Sequence, residues 1–185
     1  MTAKLPFCWL LGLMALQCTS NAHRLDEYLQ ATLVSIEPDR IRLQIQLTPG
    51  VQVAEPVLRL VDLNHDGRIA PEEADAYADL VKSSLSLKLD GRNLRLTVQV
   101  IESPEAADLR TGLGAIQIEL SAAMESLTAG AHQLTFENRH QTNLSVFQVN
   151  AVLPRSKDVV IRRQERNEIQ SRATIHFTRE EPWSR

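Results

Sequence analysis

Between Ile41 and Leu47 every second residue is apolar. Ile41, Leu43, Ile45 and Leu47 alternate with Arg42, Gln44 and Gln46. A period of two fits an extended strand with one buried and one wet face, and it defeats an amphipathic helix, whose apolar stripe recurs every three or four residues. The run before it, Tyr28 to Ile36, is joined to it by Glu37-Pro38-Asp39-Arg40, a turn-forming tetrad, so the two read as a hairpin. Leu85 to Leu89 and Leu94 to Val100 repeat the arrangement around Asp90-Gly91-Arg92-Asn93. Further strands are expected at Ala115 to Leu120, His132 to Glu137, Ser145 to Leu153, Val159 to Arg163 and Arg172 to Thr178. About nine short strands with turns between them predict a mainly β, antiparallel sandwich of the immunoglobulin-like kind.

Composition fits one such domain. Of 185 residues 43% are hydrophobic, enough for one sizeable core. Lys and Arg number 20 against 23 Asp and Glu, a net charge of -3, which excludes the basic excess of a nucleic-acid binder. Aromatics at 4% leave little material for base- or sugar-stacking platforms.

The first 22 residues read as a secretory signal: Lys4, an apolar run from Phe7 to Leu16, and small residues at Ser20 and Ala22. The run is too short for a bilayer crossing, which needs roughly 20 apolar residues. Cleavage after Ala22 leaves a single domain over 23–185, periplasmic or extracellular. Cys8 and Cys18 depart with the signal, so packing or a metal, not a disulfide, must stabilise the rest. No later stretch is apolar enough to span a membrane.

One segment breaks the strand pattern. Across Val53 to Ser83 the apolar spacing lengthens, through Val57, Leu58 and Val61, then Ala74, Tyr77, Ala78 and Val81, which predicts two helices joined by a polar loop. Pro56 restricts the first helix to a short one that keeps it in its opening turn. The insertion is expected to leave the sheet after Leu47 and return to it at Leu85.

The polar loop carries the one pattern with a defined chemistry. Asp62, Asn64 and Asp66 stand at positions 1, 3 and 5 of a twelve-residue stretch, Gly67 at 6 and Glu73 at 12. Oxygens at alternate positions converge as the chain curls, the glycine permits the sharp turn, and a bidentate glutamate closes the cage. Arg68 at position 7 contributes only its backbone carbonyl, and Ala70 at position 9 leaves a vertex to water. The chemistry implied is that of a hard divalent cation, Ca2+. The expected ligands are therefore Asp62, Asn64, Asp66, Arg68 and Glu73. An unpaired site with no side-chain ligand at position 9 should be weak, with Kd of about 10⁻⁴ to 10⁻³ M. Such a site suits a constitutively loaded structural ion.

Histidines offer weaker constellations. His23 at the new N-terminus would combine a free amine with an imidazole, a copper-binding pair. His132, His140 and His176 would need to converge from separate strands to bind a transition metal. His65 falls at a variable loop position and is expected in solvent. Arg162 to Glu168 mixes both signs and reads as a solvated strand end. No catalytic elbow, mature cysteine or phosphate-cradling loop is present, so no enzymatic activity is expected.

The loop from Asp62 to Glu73 resembles the EF-hand family. The wider chain resembles the exported soluble domain that precedes bacterial nickel/cobalt-type permeases. The matching stretches are Ala22-His23-Arg24-Leu25, Glu37-Pro38-Asp39-Arg40-Ile41-Arg42-Leu43, Asp62 to Tyr77, Leu87-Lys88-Leu89-Asp90-Gly91-Arg92 and Gly130-Ala131-His132-Gln133-Leu134. The EF-hand resemblance implies a calcium-binding helix-loop-helix inserted at about 53–83. The permease resemblance implies an accessory role in nickel, cobalt or copper transport or sensing, with a membrane permease or other cell-envelope protein as partner. No permease helices follow within the sequence to Arg185.

Overall fold

A computed structural model describes residues 26–125 and 127–180. The segment expected to be a signal, and His23, lie outside the described residues.

The strands in chain order are β1 (Tyr28–Ile36), β2 (Arg40–Pro49), β3 (Leu85–Leu89), β4 (Arg92–Asn93), β5 (Thr97–Glu102), β6 (Ile116–Ala123), β7 (Gly130–Asn138), β8 (Ser145–Ala151), β9 (Val159–Arg166) and β10 (Arg172–Arg179). The helices are α1 (Ala54–Val61), α2 (Pro71–Ser83) and α3 (Ala106–Arg110). The strands form two five-stranded sheets, in the orders β5-β6-β2-β1-β8 and β4-β3-β7-β10-β9. The chain is therefore mainly β, as the alternation requires. Ile41, Leu43, Ile45 and Leu47 are all buried, and the hairpin pairs Ile36 with Ile41 across the turn. Inner-face residues of both sheets, such as Ile45, Phe136 and Phe177, join Val57 and Tyr77 of the helices in one apolar cluster. No helix among the described residues is long and apolar enough to cross a membrane.

Among the described residues the strands number ten, where about nine were expected, and three other expectations are corrected. The strands are not all antiparallel, because β1 and β8 pair in parallel from Tyr28↔Ser145 to Val34↔Ala151. The chain after β7 enters the first sheet beside the start of β1, where Tyr28 N donates to Leu144 O at 2.8 Å, so the two strands run the same way. The hairpin expected over Leu94 to Val100 is cut short. Asp90 (φ 48) and Gly91 (φ 80) make its two-residue turn, a backbone that favours glycine and tolerates aspartate. Only Arg92 and Asn93 then pair with β3. Leu94 and Leu96 pack onto the shared core, and β5 pairs with β6 in the other sheet. Finally, the helical insertion does not return to the sheet it left. It departs from β2 in the first sheet and delivers the chain to β3 in the second. Among the described residues the helix pair is the first crossover between the sheets.

The edge of β8 away from β1 is closed by side chains. Gln164 on β9 accepts from Ala151 N at 3.0 Å and donates to Val149 O at 2.9 Å, so its amide stands in for a neighbouring strand. Arg166 adds bonds to Val149 O at 2.6 Å and Asn150 Oδ1 at 2.5 Å. Open strand edges invite pairing with other chains. Replacing both Gln164 and Arg166 by alanine is expected to increase self-association, read as a concentration-dependent rise in sedimentation coefficient relative to the unaltered chain. Unchanged sedimentation of the folded variant would show that the edge is harmless when open.

Candidate functional site

The helices flanking the loop form for the reasons the spacing implies. In α1, Val57, Leu58 and Val61 are buried, and Pro56 falls in the first turn, where its missing N–H costs nothing. In α2, Pro71 opens the helix, Glu72 and Glu73 lie at its positive end, and Ala74, Tyr77, Ala78 and Val81 face inward. Helix α1 packs against α2 and α3, and α2 lies along β5.

Asp62 and Glu73, the first and last residues of the loop, sit where these helices meet, only 3% and 8% exposed. Both Asp62 oxygens accept backbone amides, from Asp66 at 3.2 Å and Gly67 at 3.0 Å. Glu73 Oε1 accepts from Leu63 N at 2.9 Å and Asn64 N at 3.1 Å, while Oε2 takes Ala70 N at 3.0 Å. One carboxylate thus caps its own helix and holds both ends of the loop. Ala70 has no side-chain acceptor, so its carbonyl receives Glu73 N at 3.1 Å instead.

Asn64 and Asp66 are exposed. Asn64 Oδ1 accepts from Asp66 N at 2.9 Å, and Asp66 Oδ1 from Arg68 N at 2.8 Å, two short Asx turns in succession. Asn64 Nδ2 also donates to Asp66 Oδ2 at 3.2 Å. His65 (φ 61) and Gly67 (φ 82) take the left-handed conformations that bend the chain back. Arg68 is exposed, as is His65. All five expected ligands therefore fall on one curled loop bracketed by two helices. Among the described residues, no three His, Cys, Asp or Glu side chains are grouped tightly enough to hold a metal between them. The carboxylates of Asp62, Asp66 and Glu73 instead accept backbone amides of the loop.

Among the described residues, the histidines do not come together. His132 Nδ1 bonds Asp90 Oδ2 at 2.7 Å and Nε2 meets Thr128 O at 2.9 Å, a clamp on the β3–β4 turn. Burial pulls the His132 pKa down, but the Asp90 carboxylate and the Thr128 carbonyl outweigh it, and the net shift is upward. His176 lies on β10, its Nε2 3.8 Å from Glu165 Oε2 and 3.5 Å from Arg163 Nη2. In register His176 faces Gln133 and Phe177 faces His132, so the two histidines occupy opposite faces of the second sheet. His140, in the connection after β7, is 2% exposed.

His140 belongs to a polar cluster with no sequence signature. Tyr28 and Tyr77 share a hydroxyl–hydroxyl bond of 2.5 Å, and Tyr77 Oη meets His140 Nε2 at 3.0 Å. Gln30 Nε2 donates to His140 O at 2.9 Å and to Ser145 Oγ at 2.6 Å. Asn138 Nδ2 donates to Gln30 Oε1 at 2.8 Å, and His140 N donates back to Asn138 Oδ1 at 2.9 Å. Desolvation lowers the imidazole pKa to about 4, so the ring is neutral near pH 7. Tyr28 and Gln30 sit at inner positions of an alternating strand and Tyr77 on the inner face of α2, which hints that polar groups are destined for the interior.

No protein-family model matches this chain, and no curated protein matches it.

Proposed function

We propose that the chain is an exported, non-enzymatic calcium-binding protein. Its two sheets form an immunoglobulin-like β-sandwich, and the inserted helix-loop-helix is a single EF-hand. One observation carries the reading. Asp62 and Glu73 are buried at the helix junction, and neither has a lysine, arginine or histidine partner among the described residues. Buried carboxylates are ordinarily paired with a cation or coordinate a metal. The donors nearest in sequence, from Asn64, Asp66 and the Arg68 carbonyl, are all oxygens, the ligand class of a hard ion. Export rests on the Lys4 and Phe7 to Leu16 pattern followed by Ala22.

When bound, the ion would supply positive charge to a loop whose sequence carries three carboxylates, Asp62, Asp66 and Glu73. Asp62, Asn64, Asp66, the Arg68 carbonyl and Glu73 would hold it. An ion bound only by the folded state, at tenfold its Kd, stabilises by about 1.4 kcal/mol. For a domain of this size that is a melting shift of roughly 3–6 °C. The expected result is a rise of that order between chelator and about 10 mM calcium, with little change from magnesium, which releases its waters reluctantly and demands a smaller octahedral cage. Glu73→Gln should abolish most of the rise. An equal rise in that variant would show that Glu73 does not close the site. Elemental analysis of protein purified without chelator separates calcium from nickel, cobalt or copper.

A further inference from the structure

We infer that Tyr77 is a positioning residue: it pins α2 to the seam between the two sheets, so that the loop and His140 respond to one another.

The connection begins on one face of one helix. Glu73 and Tyr77 are four residues apart in α2, hence neighbours on the same side, and both are buried. The Glu73 carboxylate holds the amides of Leu63, Asn64 and Ala70. One turn later the Tyr77 hydroxyl touches Tyr28 of the first sheet and His140, which follows β7 of the second. The His140 ring stands edge-on to both phenols, with centroids 6.3 Å from Tyr28 and 5.6 Å from Tyr77. Its own backbone is fixed at both polar atoms, N by Asn138 and O by Gln30.

A dry network of this kind has one satisfactory geometry. Sliding α2 along β1 would strand two hydroxyls and an imidazole nitrogen away from water, a cost that grows with burial. The network therefore fixes the height and rotation of α2, and with them the place of the Glu73 carboxylate. No charged group reaches His140 in this network. The side chains facing it are the phenols from β1 and α2, the Gln30 amide, the Asn138 amide and the Ser145 hydroxyl. A shift of the loop thus reaches His140 through hydrogen-bond geometry, and coupling of this sort is reciprocal. The ion-linked half of the inference rests on the calcium reading, and the positioning half does not.

Tyr77→Phe tests both, beside Ile175→Val, a core change on β10 that touches no bond of the network and lowers overall stability. Without added ion, amide exchange at Leu63 and Asn64, followed by NMR, is expected to quicken about tenfold in Tyr77→Phe, which removes the two buried hydrogen bonds of the Tyr77 hydroxyl. Ile175→Val should quicken these amides no more than its global stability loss requires. Equal behaviour of the two variants would overturn the positioning role. With calcium chloride added, the His140 ring resonance should shift in the unaltered chain and stay still in Tyr77→Phe, which should still bind calcium when titrated. Calcium bound without movement of the His140 resonance in the unaltered chain overturns the coupling. Quickened exchange in Tyr77→Phe, with no calcium bound by either protein, overturns the calcium reading and leaves the positioning role standing.

Discussion

Replacing Phe136 by alanine is expected to lower the unfolding free energy by about 3–5 kcal/mol, the range for losing a buried aromatic ring. Phe136 is fully buried on β7, which lies between β3 and β10 in the second sheet. It stands opposite Leu87 on one side and Ala173 on the other. Its neighbours there are held by strand pairing on both flanks, so they cannot collapse into the space the ring leaves, and the cavity cost adds to the lost transfer energy. For a domain of this size the melting temperature should fall by roughly 6–20 °C. Chemical denaturation with an unchanged denaturant slope would confirm that stability alone changed. A loss under about 1 kcal/mol would mean that the two sheets do not share the packed core described here.

The second large effect is acid lability. His140 is held neutral in the folded chain, with its pKa lowered to about 4 by desolvation, whereas in the unfolded chain it titrates near 6.5. The unfolded state therefore binds a proton that the folded state refuses. Stability should fall as pH drops from about 6.5 towards 4, and below that window the loss should level at about 3 kcal/mol from this group. Asp39, Asp90 and Glu137 also have lowered pKa values and add a loss of their own, chiefly at more acid pH. The His140 contribution is isolated by His140→Gln, whose amide can still bond the Tyr77 hydroxyl but does not titrate. That variant should lose most of the slope between pH 6.5 and 4, measured by denaturation at a series of pH values. An unchanged slope would show that the imidazole is not held neutral by burial. His132 runs the other way. Its raised pKa stabilises at low pH and is lost as pH rises through it, a small effect because Asp90 is half exposed.

What the sequence revealed was local, and what it concealed depended on distant pairing. Alternation alone places Ile41, Leu43, Ile45 and Leu47 inside, because one residue of slippage would expose all four. The turns at Pro38-Asp39 and Asp90-Gly91 and the inner faces of α1 and α2 were legible for the same reason, since each is fixed within a few residues. The sheet that a strand joins was not legible. Nothing near Thr97 says that β5 must pair with β6, and β1 finds its parallel partner β8 more than a hundred positions away. Helix α3 spans only five residues, too few to display a helical period. The Tyr28–Tyr77–His140 cluster was missed because its members are 49 and 63 positions apart, and an inner-face position does not say which polar group a phenol will meet. Only folding shows that Gln30 and Asn138 satisfy the groups around them. The loop lay at the opposite extreme, with its five oxygen donors and its glycine all within twelve residues.

Calorimetric titration of the protein with calcium tests the central claim most directly. The account predicts saturable binding at a single site, with Kd of about 10⁻⁴ to 10⁻³ M, and severe weakening in Glu73→Gln. A folded protein that gives no binding heat up to millimolar calcium, or a Glu73→Gln variant that binds as tightly as the unaltered chain, would contradict it.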